Sequence, residues 1–178
     1  MTSPQSESAL KQRLEFIELD DEARKTIREL KPVITDLLGG ALDKFYAKVA
    51  RTPAVARFFS DKALVTSAKK RQEGHWANLA NGSFDDSYVN GVTAVGKTHA
   101  RIGLDPRWYI GGYALIIENI VRSIIANELK GFFTRGKSEK LGNDISAVIK
   151  AALVDMDYAI SVYLDVLADE RQRVFVGL

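Results

Sequence analysis

Residues 95–113 read VGKTHARIGLDPRWYIGGY and carry the strongest structural signal in the chain. A stripe of residues at steps of four and three, as on one face of an α-helix, runs into this segment and consists of Tyr88, Val92, Val95, His99 and Ile102. Gly103 then ends the helix, because glycine readily adopts the left-handed conformation found there. Pro106 begins the next helix, where its missing N–H has no partner to lose. The segment predicts two helices joined by a tight corner, with His99 on an apolar face.

The rest of the chain shows the same helical periodicity and no alternating pattern long enough for a useful strand. Asp20, Asp61 and Asp85 stand where helix N-caps are expected, and Asn81-Gly82 is a stop signal. The predicted helices cover residues 7–19, 21–30, 32–49, a short turn after Pro53, 61–79, 85–102, 106–130 and 138–173, with a loop at 131–136. This pattern predicts an all-α fold of about eight helices.

The composition is that of one ordinary globular domain. The 178 residues are 46% hydrophobic and 27% charged, and a net charge of +2 gives no basic footprint for nucleic acid. Cysteine is absent, which excludes disulfides and thiolate metal sites. No apolar run approaches the roughly 18 residues that cross a bilayer, and residues 1–10 lack the pattern of a signal peptide. We therefore expect a cytoplasmic protein without membrane insertion and without a nucleic-acid partner.

Two histidines are the candidates for metal chemistry. His99 fits an iron ligand, because an imidazole on an apolar helix face binds haem iron while hydrocarbon on both sides excludes water. A core histidine bonded to a neighbour explains the same pattern. His75 is interpreted as a half-exposed residue packed beside Trp76, with a second iron ligand or a pH-sensitive contact as alternatives.

Two tyrosines are candidates for hydrogen bonding in the same region. Tyr46, next to Phe45, is either a core residue bonded to the backbone or a donor to a ligand on iron. Tyr109 lies one helix corner away from His99. A hydrogen bond from the Tyr109 hydroxyl to the His99 ring or backbone is therefore expected.

Enzyme chemistry finds no support in the sequence. We see no glycine-rich phosphate loop, nucleophile elbow or zinc-binding helix. Asp155 and Asp157 lie together in the last predicted helix and are interpreted as a solvated helix edge rather than an acid–base pair. We predict that the domain is not an enzyme.

Residues 95–113 closely resemble the proximal signature of globin-coupled sensors. That family includes haem-based aerotaxis transducers, globin-linked diguanylate cyclases and histidine kinases, and it is related to the protoglobins. Residues 43–46, Asp-Lys-Phe-Tyr, resemble the family's distal motif, and the distance from Tyr46 to His99 is similar to the family spacing. The resemblance extends over residues 10–172. It implies a globin-like fold with an extra N-terminal helix, in which the last two helices form a dimeric four-helix bundle.

The resemblance implies a role for each matching residue. His99 is implied to be the proximal ligand of the iron of haem b, and Tyr46 to be the distal donor to bound oxygen. Tyr109 resembles a tyrosine that bonds the proximal histidine and changes partner on ligation. The implied pocket walls are Phe45, Val95, Ile102, Trp108 and Tyr113. Oxygen is the implied gas, and nitric oxide or carbon monoxide would use the same iron.

The helix that should cover the distal face departs from the family pattern. Ala68 and Arg71 stand where the family usually has an apolar residue and a threonine or leucine. A more open and polar distal pocket would follow, with Gln72 or Arg71 as a second donor. The same departure favours an alternative function, a haem-free globin-fold module for dimerisation and signalling.

We expect three parts in the chain: a flexible N-terminus at residues 1–9, a sensor globin domain at 10–173 and the start of a linker at 174–178. The last residues are charged and compatible with a continuing helix. This favours a sensor within a longer signalling protein. A chemotaxis transducer is the first expectation for the output, and a cyclase or kinase the next.

Overall fold

A computed structural model describes residues 4–128 and 137–176, and within them the regular structure is helical throughout. The seven helices are α1 Pro4–Phe16, α2 Asp21–Ala50, α3 Pro53–Ala56, α4 Lys62–Leu79, α5 Asp86–Ile102, α6 Pro106–Glu128 and α7 Lys137–Val176. The predicted all-α class is confirmed. The predicted loop at 131–136 lies outside the described residues.

The difference from the expected eight helices lies at Pro32. The sequence predicted a new helix beginning there, whereas α2 runs unbroken through this residue. A proline inside a helix leaves the carbonyl of the residue four positions earlier, Arg28, without its partner. Both residues are exposed, so water can bond that carbonyl. One buried stripe continues along α2 on either side of the proline and holds the two halves together: Ile27, Leu30, Ile34 and Leu38.

The predicted helix starts are confirmed by their caps. The side chain of Asp20 accepts from the Ala23 N–H at 2.9 Å, and that of Asp61 accepts from the Leu64 N–H at 2.9 Å. Asp85 caps α5 in the same way. Each cap satisfies one of the N–H groups that a helix start leaves without a partner.

α6 lies in the middle of the fold and corrects one expectation. Its segment Pro106–Asn127 is long and apolar enough to cross a membrane by length and composition, although we expected no such run. α6 packs against both α2 and α7. Its buried residues are Tyr113, Ile116, Ile120 and Ile124. This packing accounts for one face of the helix, while other apolar side chains of α6, among them Ile110 and Leu115, are exposed.

α5 packs along α7 at an unusually close approach. A Cβ atom placed on Gly96 would lie 2.6 Å from the carbonyl oxygen of Ala159 and 2.8 Å from the Cβ of Val162. Only glycine fits there without moving one backbone away from the other. The helix that carries His99 is therefore seated directly on α7.

Candidate functional site

The corner between α5 and α6 positions His99. Gly103 adopts a left-handed conformation with φ 68°, and the Leu104 N–H donates to the His99 carbonyl at 2.9 Å. Asp105 accepts from the Arg107 N–H at 2.9 Å and holds the start of α6. This tight corner brings Tyr109 against His99, with the two ring centroids 4.7 Å apart in an edge arrangement.

The His99 imidazole is available as a ligand. In the part of the chain that the structure describes, its ring has no hydrogen-bond partner. Burial, helped by the charge of His75, lowers the pKa of His99 to about 4. The ring is therefore neutral near pH 7 and keeps a nitrogen lone pair, which is the form that binds iron.

Tyr109 has a different partner from the one expected. Its hydroxyl donates to the Tyr113 hydroxyl at 3.1 Å, so it contacts His99 through its ring and not through a hydrogen bond from its O–H. The Tyr113 hydroxyl in turn donates to Oδ2 of Asp155. The three α6 and α7 side chains form a hydrogen-bonded row that begins beside His99.

Asp155 is buried and His75 is largely covered, contrary to the expectations for them. Asp155 is 0% exposed and its Oδ2 lies 2.7 Å from Nε2 of His75. The His75 side chain is 11% exposed. Of the pair Asp155 and Asp157, it is Asp157 that lies at the surface, where it forms a salt bridge with Arg13. A buried charge needs such partners, and here α4 and α6 supply them to α7.

The pKa of His75 reflects this pairing. Burial lowers it, but the hydrogen bond to Asp155 and the charge of Asp155 together outweigh burial and raise the pKa above its usual value. His75 is thus committed to the carboxylate.

Tyr46 lies in a second aromatic cluster. Its ring centroid is 5.0 Å from that of Phe45 and 5.5 Å from that of Phe59. Burial raises the pKa of Tyr46 to about 12, although the charge of Arg71 opposes the shift. Among the described residues the hydroxyl has no hydrogen-bond partner, so the alternative of a backbone-bonded core tyrosine is not observed. Tyr46 therefore carries a proton with no protein acceptor.

Phe45 joins the two clusters. Its ring lies 3.0 Å from the position that a Cβ on Gly112 would occupy, directly before Tyr113 on α6. The two sequence segments that resembled family motifs, one on α2 and one across α5 and α6, are therefore neighbours in space.

Comparison with known proteins identifies the family of this chain. The Protoglobin family model matches residues 6–168. The chain belongs to the protoglobin family. It is also similar to the heme-based aerotactic transducer HemAT of Halobacterium salinarum, with 21% identity over 94% of this chain and 36% of the transducer. The chain thus spans about a third of that relative, and the predicted membership among globin-coupled sensors is confirmed.

Solved structures show the same fold. The globin domain of a Geobacter sulfurreducens globin-coupled sensor superposes with a TM-score of 0.76 at 20% identity, covering 86% of this chain and 96% of that one. The ferrous globin domain of E. coli DosC gives a TM-score of 0.61 at 18% identity, covering 83% of this chain and 99% of that one. The predicted globin-like fold is confirmed.

The cofactor of this protoglobin is haem b, as predicted. The residues present fit it, because a neutral imidazole that has no hydrogen-bond partner within residues 4–128 and 137–176 stands beside an aromatic cluster. Half-buried Val95 lies on the same helix as His99. Ile102 and Trp108, also expected as walls, are 41% and 37% exposed because they flank the corner at the edge of the core.

The polar stretch of α4 lies near Tyr46. Arg71 donates to Oγ of Ser67 at 3.0 Å and is exposed, yet its charge reaches the Tyr46 hydroxyl. The side-chain oxygen of Gln72 is buried and has no hydrogen-bond partner in the described part of the chain. Both expected second donors therefore remain candidates.

The feature that sequence reasoning missed is Asp155. It lies at helical steps of four, three and four in a buried row of α7 made of Val148, Ala152, Asp155 and Ala159. The sequence analysis had interpreted Asp155 as part of a solvated helix edge. A carboxylate inside an apolar stripe is the signal that would have found it.

Proposed function

We propose that this globin domain senses a diatomic gas through haem b held by His99, with Tyr46 as the distal donor. The observation that carries the proposal is the His99 ring, which is half-buried and neutral, lies beside Tyr109 and has no hydrogen-bond partner among the described residues. Buried imidazoles normally bond a neighbour, as His75 does here. A free one on a protoglobin's fifth helix has the chemistry of an iron ligand.

When bound, haem supplies an iron atom that takes up oxygen, or nitric oxide or carbon monoxide in its place. The chain's residues then orient the cofactor and exclude water. Tyr46 keeps its proton at physiological pH, since its pKa is raised to about 12. A protonated phenol stabilises a ligand that gains negative charge on binding. The walls that we assign are Phe45, Val95, Ile102, Trp108, Tyr109 and Tyr113.

Transmission through a homodimer is the second part of the proposal. α5, with His99, rests on α7 at Gly96, so a movement of the ligand helix reaches α7 directly. α6 and α7 expose large apolar side chains that a second copy would cover in a four-helix bundle: Ile110, Leu115, Ile149, Leu153 and Leu164. Gas binding would bias the packing of this bundle.

A chemotaxis output in the cytoplasm is the proposed context. Its support is the aerotactic transducer, one third of whose length this chain matches. We propose no enzymatic activity for the globin domain itself.

The test is a haem titration of the purified chain. We expect a Soret band that saturates at one haem per chain and shifts when oxygen or carbon monoxide is added. In analytical ultracentrifugation, the species that carries this band should have the mass of a dimer. A chain that retains no Soret band once excess haem is removed would instead be the haem-free dimerisation module. Gas-independent spectra would remove the sensor role.

Tyr46→Phe should speed oxygen dissociation. The variant removes the hydroxyl and leaves the ring packed on Phe45 and Phe59. A hydrogen bond to a charged group contributes about 1.5–3 kcal/mol, which corresponds to a dissociation rate about 10- to 140-fold faster. Stopped-flow measurement checks this, with Tyr163→Phe on α7 as the matched control. An unchanged rate in Tyr46→Phe would withdraw the distal role.

A further inference from the structure

We propose that the last turns of α2, α3 and the first half of α4 form a docking surface for a second protein whose matching surface is acidic. We call it the basic surface, and its exposed cationic residues are Lys44, Lys48, Arg51, Arg57, Lys62, Lys70 and Arg71. The partner is distinct from the gas and from the second copy of the chain, whose proposed contact lies on α6 and α7. The inference does not depend on haem binding.

Positive charge is concentrated in this part of the chain. Residues 43–71 contain eight lysines and arginines and two aspartates, which gives a net charge of +6. The whole chain carries +2, so the remaining residues together carry −4. The near-neutral total therefore hides a one-sided distribution, and a surface of one sign attracts partners of the opposite sign.

Most of these cations have no carboxylate partner. Within residues 43–71, only Lys69 forms a salt bridge with another described residue, and its partner is Asp43 at 2.5 Å. The other acidic residue, Asp61, is occupied as the N-cap of α4. Several exposed cations elsewhere in the chain are paired, namely Lys11 with Glu15, Arg107 with Asp105 and Arg122 with Glu118. The cations of the basic surface repel one another in the free protein, and the carboxylates of a partner would relieve that repulsion.

The fold brings the cations of three segments together. Lys44, Lys48 and Arg51 follow one another at steps of four and three, which places them on one side of α2. α3 and α4 both pack against α2. The bond from Lys69 to Asp43 fixes α4 beside the same turns of α2. The cations therefore lie in one region of the molecular surface.

An apolar side chain accompanies these charges. Leu64 is 43% exposed and is the one exposed large apolar side chain of residues 43–71. The Arg57 guanidinium lies 4.9 Å from the ring centroid of Phe58, which is half-buried. An apolar contact with charged side chains around it is the arrangement of a protein–protein interface, where arginine and aromatic residues are enriched.

Other polyanions fit this surface less well. Single-stranded nucleic acid stacks its bases on aromatic rings, and the rings of Phe58 and Phe59 are only partly accessible. Leu64 alone does not give α4 the wide apolar face with which a helix lies in a membrane interface. A protein that carries several carboxylates around an apolar side chain matches both the charge and Leu64.

The test uses two short fluorescent peptides of equal negative charge, a run of glutamates with a central leucine and the same run with serine in its place. Anisotropy titrations of the purified chain, haem-loaded and haem-free in parallel, should show tighter binding of the leucine peptide. Added salt should weaken the binding of both peptides. A variant with Lys44→Glu, Lys48→Glu and Lys62→Glu should bind both at least about tenfold more weakly. Leu64→Ala should lose the preference for the leucine peptide.

The matched control carries Lys11→Glu, Lys25→Glu and Arg171→Glu. These substitutions change the net charge equally, at exposed positions outside the basic surface. The control should bind both peptides within about twofold of the wild type, because distant surface charges are screened by salt. Equal weakening in the two triple variants would show that net charge alone attracts the peptides, and would overturn the proposal.

Hydrogen–deuterium exchange of the wild type provides a second readout that needs no variant. Backbone amides of residues 43–71 should become protected when the leucine peptide is added. Absence of this protection would overturn the proposal. So would tighter binding of duplex DNA or of phosphatidylglycerol vesicles than of the leucine peptide at the same salt concentration. A surface variant that is monomeric where the wild type is a dimer would assign the basic surface to self-association and contradict the proposal as well.

Discussion

Replacing His99 by alanine should abolish the Soret band that the chain shows once haem is supplied, whereas His75→Gln should retain it. The sequence contains only these two histidines. His75 is held 2.7 Å from a buried carboxylate, so it is not free to replace His99 at iron. Glutamine at position 75 still offers Asp155 an N–H donor, which makes the control as mild as the site allows.

The measurement is the visible spectrum of both variants with one haem per chain, together with circular dichroism to show that each is folded. We expect loss of tight haem binding in His99→Ala only. A folded His99→Ala protein with a wild-type Soret band would show that another residue holds the cofactor.

Gly96→Ala should destabilise the domain by about 1–3 kcal/mol, the usual cost of inserting a methyl group into a packed contact. The new Cβ would lie 2.6 Å from the Ala159 carbonyl oxygen, a backbone atom that cannot turn aside. α5 must then move away from α7 and take His99 with it. We therefore expect weaker haem affinity as well as lower stability.

Gly40→Ala is the matched control, because position 40 is exposed, lies far from either end of α2 and has nothing within 4 Å of an added Cβ. There the same substitution should stabilise by about 0.5–1 kcal/mol, since alanine loses less backbone freedom in a helix. Urea unfolding of the two haem-free variants gives the comparison. Equal stabilities would mean that the α5–α7 contact tolerates a side chain.

Local signals predicted much of this structure. The end of a helix at Gly103 and the helix starts at Asp61 and Asp85 depend on groups within a few residues. All three are found as expected. Pro32 shows where a local rule fails. Its helix continues because the buried stripe on either side contributes more than one lost hydrogen bond.

The site was predictable in part for the same reason. Periodicity placed His99 on an apolar face, but it does not say how much of that face is covered, and Ile102 at its end is 41% exposed. Asp155 depended on partners from two other helices, His75 and Tyr113. Such long-range pairing leaves no mark in the spacing of α7 beyond a charged residue within a buried row.

The ligand role of His99 is best tested by rescue. In His99→Gly the side chain is removed and a space for a free imidazole remains beside Tyr109. The variant supplied with both haem and imidazole should therefore regain the wild-type ferrous spectrum. Its iron–nitrogen stretching band should shift when that imidazole is isotopically labelled. The account predicts both changes. A His99→Gly protein that already shows the wild-type iron–histidine band without imidazole would contradict it.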